Sequence, residues 1–233
     1  MAVFASHRRT LLRPLAVTAA ACIVAAAVSC SSGASKSTPP VGNETPQKPE
    51  FTQVTTAMFV DQSAFPNSSA MEFTAPTISN DPQGTTDPVD PPECGPIYWG
   101  PPFSQIGFVN WSTMRSDGES TNNEGREIKL FLALAAERPD LRALLGKCGT
   151  VRYQGVTSIT VAPLPLPGLP SWADSSRITT PGVAGAAAGI VGLYRGLFVS
   201  LTFTQLPGGD ISPNDTDALV KLFNDQVTKL EAM

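Results

Sequence analysis

An apolar run from Leu15 to Val28, fronted by Arg8, Arg9 and Arg13 and closed by Cys30, takes the first 29 residues out of the folding problem. A basic start, an apolar middle and small residues before a cut site make the layout of a cleavable export signal. Coiled as a helix, the run rises only about 21 Å, short of the roughly 30 Å of a bilayer's hydrocarbon core, so a permanent span is disfavoured. Residues 1–29 therefore read as a signal peptide, and the mature chain is expected outside the cytoplasm.

Ala27-Val28-Ser29-Cys30 resembles the lipobox of bacterial lipoproteins, with Ala27 where Leu is usual. The resemblance implies that Cys30 is lipidated and anchors the protein to the membrane. The alternative is ordinary cleavage after Ala25-Ala26-Ala27, which would release a soluble protein. Cys30 with a polar Ser-Ser-Gly behind it favours the lipoprotein. Arg8-Arg9-Thr10-Leu11-Leu12 also resembles a twin-arginine export signal, although His7 stands where Ser or Thr is expected, so either export route remains open.

The export reading settles the cysteines. Of four, Cys22 leaves with the signal and Cys30 takes the lipid, so Cys94 and Cys148 are expected to pair in an oxidising compartment. The loop that they close, about 55 residues, gives roughly 4 kcal/mol in the chain-entropy model. A catalytic or metal-binding role for the two thiols lacks both a C-x-x-C spacing and a histidine.

Charge narrows the partners. Losing three of 16 cations and none of 20 acids with the signal takes the net charge from −4 to −7. A chain that acidic, with no basic cluster after residue 30, is repelled by a phosphate backbone, so nucleic acid is not an expected partner.

Residues 30–50 hold only Ala34 and Val41 as apolar side chains after the cysteine and read as a disordered tether. Residues 51–233 read as the folded domain. Phe51 to Phe73 suggests a short helix and a strand, and Thr74 to Pro92 a surface loop. A strand is expected over residues 105–114, with a turn at Ser116-Asp117-Gly118. Ile128, Leu130, Leu132 and Leu134 alternate with a period of two and predict another strand. Leu141, Leu144 and Leu145 predict a short helix, and Val151 to Val161 supplies strand residues. Four prolines between Pro163 and Pro170 rule out an inner strand there. After a loop holding Trp172, residues 184–194 and 196–204 read as a hairpin about Arg195-Gly196. Gly185-x-x-x-Gly189 lies in an apolar run too short to span a membrane and reads as core strand. Ser212-Pro213-Asn214-Asp215 starts a last helix, whose apolar face is Leu219, Leu222, Phe223, Gln226, Val227 and Leu230.

Catalytic chemistry is hard to assemble. The one histidine, His7, lies in the signal, which removes Ser-His-Asp and Cys-His catalysis and histidine-bound zinc from the mature chain. No G-x-S-x-G, P-loop or S-x-x-K follows Cys30. Asp81, Asp87 and Asp90, and Asp210, Asp215 and Asp217, lack calcium-loop spacing and read as capping or solvated loop charge. No enzyme, metal or cofactor is expected. Tyr98, Trp99, Phe103 and Trp111, set among prolines, are candidates to line an apolar ligand groove, against the simpler reading of Phe103 and Trp111 as core.

Phe65-Pro66, Pro91-Pro92-Glu93-Cys94, the strand and helix ending at Cys148, and the unit from Gly196 to Leu230 resemble mycobacterial lipoproteins related to the extracellular sensor domain of the serine/threonine kinase PknH. The resemblance spans residues 51–233. It implies an α+β domain with a curved antiparallel sheet, helices on one side and a ligand cleft. Two disulfides belong to the folds that sensor domain is similar to, whereas one pair is available here. The expected protein is a non-enzymatic cell-envelope lipoprotein, held at the outer face of the membrane by its lipid, that binds a small apolar ligand or an envelope protein. The alternative is an accessory lipoprotein that docks on an envelope complex without a ligand.

Overall fold

The computed structural model describes residues 48–67, 71–79, 89–97, 108–119, 125–135, 138, 140–153, 157–180, 185–206 and 209–233. These belong to one folded unit, Pro46–Met233. Cys30, Tyr98, Trp99 and Phe103, and the signal and most of the tether, lie outside the described residues.

The domain is α+β and is built on one curled antiparallel sheet. Its strands are β1 Glu72–Ser79, β2 Val89–Asp90, β3 Phe108–Glu119, β4 Gly125–Ala135, β5 Thr150–Tyr153, β6 Thr157–Pro163, β7 Ala173–Thr179, β8 Ala186–Tyr194 and β9 Leu197–Leu206. Among the described residues they run in the order β1-β3-β4-β9-β8-β7-β6-β5-β2. Among the described residues two α-helices complete it, α1 Leu141–Lys147 and α2 Pro213–Glu231.

The period of two in β4 sorts the two faces. Ile128, Leu130 and Leu132 join Leu197, Val199, Leu201 and Phe203 of β9 and Ala188 and Ile190 of β8 in the larger core. Over them lie Leu219, Leu222, Phe223, Val227 and Leu230 of α2, five of the six positions assigned to its inner face from sequence. Phe131, Ala133, Val191 and Phe198 point the other way and meet Leu141 of α1. Ser212 caps α2 in a reciprocal box: its hydroxyl accepts from the Asp215 amide at 3.2 Å, and Asp215 Oδ2 accepts from the Ser212 amide at 3.0 Å.

Single 3-10 turns at Thr56–Met58 and Gln62–Ala64 bring Val54, Met58, Phe59, Val60 and Phe65 into the same core. Gln226, fully buried, locks them down: its Oε1 accepts from the Val60 amide at 3.0 Å and its Nε2 donates to the Met58 carbonyl at 2.7 Å. Cys94, in the 3-10 segment Pro92–Ile97, is disulfide-bonded to Cys148 at the end of α1 (S–S 1.99 Å, Cα–Cα 5.7 Å). Both sulfurs are buried beside Val89, Leu145, Val151, Ile159, Val161 and Ile178.

Three local expectations are corrected. Thr74 to Ser79 is strand and not loop: β1 is an edge strand, which tolerates Pro76 because one side of its backbone needs no ladder partner, and its register shifts between Thr74 and Thr77. Ser116-Asp117-Gly118 does not turn; β3 runs through it, pairing Gly118 with Arg126 and Glu119 with Gly125. Val151 to Val161 supplies strand residues as expected, divided between β5 and β6, which pair with each other. Finally, the stretch after Trp172 carries β7, whose polar residues find partners: Ser175 Oγ donates to the Leu164 carbonyl at 2.6 Å, and Asp174 accepts from Arg142. The proline-rich crossing before it sends Leu164, Leu166 and Leu169 onto the larger core.

Candidate functional site

The β8–β9 hairpin closes through Arg195 and Gly196, both at positive φ (49° and 81°), as a two-residue turn that follows the sheet's twist. A left-handed arginine is held there by its contacts. Arg195 Nε donates to the Pro49 carbonyl at 2.7 Å and Nη1 to the Leu230 carbonyl at 3.4 Å. Its guanidinium lies 4.1 Å from the centre of the Phe51 ring, and the Phe51 amide donates back to the Arg195 carbonyl at 2.9 Å. Glu50 pairs with Arg138 at 2.5 Å, and Lys48 Nζ donates to the Glu231 carbonyl. Residues 48–50, assigned to the tether from sequence, are thus laid against the turn and the end of α2.

Beside this clasp Trp172 stacks on Tyr194, with centroids 5.2 Å apart and planes 28° from parallel, and leans on Phe223 at 5.7 Å. The indole lies flat over Gly192, where a Cβ would come within 2.5 Å of two of its ring carbons. Trp172 and Tyr194 are only half-buried. With Lys48, Pro49, Glu50, Arg138, Leu193, Arg195 and Gly196 they line a groove of about 530 Å³. An aromatic floor beside cationic groups can hold a flat or apolar body and an anionic group.

A second cavity, about 410 Å³, lies at the start of α2 between Arg126, Asp215, Ile128, Phe203, Met71 and Leu219. Arg126 is already matched there by Asp215 at 3.6 Å, and Ser212 and Asp215 take up each other's amides. Arg126 Nε is buried there without a hydrogen-bond partner, but this cavity lacks a partly exposed aromatic pair, so the first groove is the better candidate.

Of the aromatic candidates drawn from sequence, Trp111 is placed by backbone register alone, on β3 between Ser79 of β1 and Ala133 of β4. The groove's own aromatics were missed. Trp172 reads as loop and Tyr194 as strand, and the signal that joins them is the bare Gly192, two places before Tyr194 on β8, where the indole packs. Among the described residues no three of His, Cys, Asp or Glu are grouped to hold a metal ion, and no helix is long and apolar enough to cross a membrane.

No protein-family model matches the chain, and no curated protein matches it in sequence. Its structure is similar to the crystal structure of the extracellular domain of PknH from Mycobacterium tuberculosis, with a TM-score of 0.49 and 15% identity over 76% of this chain and 98% of that chain. This is the sensor domain named by the sequence resemblance.

Proposed function

We propose that the chain is an exported cell-envelope lipoprotein, anchored through Cys30 at the extracytoplasmic face, whose domain is a sensor-like, non-enzymatic module that takes a small ligand in the groove between residues 48–50 and the β8–β9 turn. The observation that carries the ligand reading is the half-buried Trp172–Tyr194 stack, which forms a groove wall where a core aromatic pair would be covered. The lipobox-like Ala27-Val28-Ser29-Cys30 supports the anchor, and the lack of a histidine after His7 supports a binding role over a catalytic one.

Thermal melts of protein purified from its native host, run across lipid, glycan and peptide libraries, test the ligand reading. A ligand at about a hundred times its dissociation constant adds roughly 2.7 kcal/mol, and Trp172→Ala should abolish the shift. A flat melting temperature throughout would favour an accessory protein that docks on an envelope complex. Mass spectrometry of the same preparation tests the anchor: an intact amino terminus, or an unmodified Cys30, would refute it.

A further inference from the structure

We infer that the ligand of this groove carries a dianionic phosphate monoester; the inference rests on the ligand-binding reading above. The chain is acidic overall, yet the groove reverses the sign, with Lys48, Arg138 and Arg195 in its lining against Glu50 alone. A cationic recess on an acidic molecule concentrates anions. Its excess of two positive charges suits a dianion better than a single carboxylate.

One of these cations, Arg138, is also free to change partners. Arg138 and Glu50 are more than half exposed (59% and 55%), so their ion pair is weak and readily exchanged for a ligand oxygen. Arg195 has backbone carbonyls and the Phe51 ring as partners, and no carboxylate among the described residues. The Arg138 fork offers paired donors to phosphate oxygens, Arg195 adds its charge while Nε and Nη1 stay on their carbonyls, and Trp172 and Tyr194 supply a surface for the flat part of the ligand. The volume, about 530 Å³, suits a phosphorylated ring or a headgroup.

Phenyl phosphate, benzoate and phenol separate the contributions. Each is titrated calorimetrically into protein purified from its native host in a phosphate-free detergent, at a pH well above the second phosphate pKa of about 6. Phenyl phosphate should bind most tightly. Arg138→Gln should weaken it about tenfold, as for loss of one charge-assisted contact, while leaving phenol unchanged. Glu50→Gln should tighten it. Both side chains are exposed, so the variants should melt with the parent. Competition by glycerol 3-phosphate would indicate a lipid headgroup as the source, and its failure to compete a soluble phosphate ester with a flat body; each supports the inference. Equal binding of the three ring probes, unmoved by either variant but lost in Trp172→Ala, would overturn the phosphate inference and leave the ligand reading standing. No binding by any ring probe would overturn the phosphate inference alone, since the ligand reading falls only with a flat melting temperature across the libraries.

Discussion

Gln226 shows how one polar side chain fixes the position of a segment that has no strand or long helix of its own. Its amide satisfies the Val60 N–H and the Met58 carbonyl inside an otherwise apolar core. Gln226→Leu keeps similar bulk but leaves two buried backbone groups unpaired, at about 1–3 kcal/mol each, so urea unfolding should show a loss of about 2–6 kcal/mol. A loss under about 1 kcal/mol would mean that residues 54–65 are held by their apolar side chains alone. Gly192 has a comparable role for the groove. Gly192→Ala puts a methyl where the Trp172 ring lies, so the indole must move off Tyr194. Its fluorescence should shift to longer wavelength, and any ligand that stabilises the parent should stabilise this variant far less.

Among the elements, those with a clean period were legible. The alternation in β4, the paired apolar runs of β8 and β9 about Arg195-Gly196, and the capped, one-faced α2 all follow from residue order. The misread elements are those whose stability comes from elsewhere in the chain. β7 is mostly polar and is strand because Leu164, Arg142 and both neighbouring strands satisfy it. β1 contains a proline that only its edge position permits. The groove was illegible for the same reason: Trp172 meets Tyr194 and Phe223 across 22 and 51 positions, and no local pattern announces that. The start of α2 gives a prediction at this scale. Ser212→Ala removes the acceptor of the Asp215 amide and should cost about 1 kcal/mol, seen as a lower urea midpoint with an unchanged slope. Asn at the same position should restore most of it.

At the scale of the molecule, the route of the chain gives the disulfide its importance. From β2, at one edge of the sheet, the chain runs to β3 near the other edge, returns through β4 and α1, and re-enters at β5 beside β2. Cys94 and Cys148 sit where that excursion leaves and where it comes back, 54 positions apart. Without the bond, the unfolded chain regains the freedom of the whole loop, and the small core of Val89, Leu145, Val151 and Ile159 loses the covalent tie between its two sides. Cys94→Ser with Cys148→Ser should lower the unfolding free energy by about 4 kcal/mol, and reductant should have the same effect on the parent and none on the variant. The larger core and the groove lie with α2, so Trp172 fluorescence below the transition should match the parent. Coincident unfolding curves with and without reductant would show that the fold is complete without this bond.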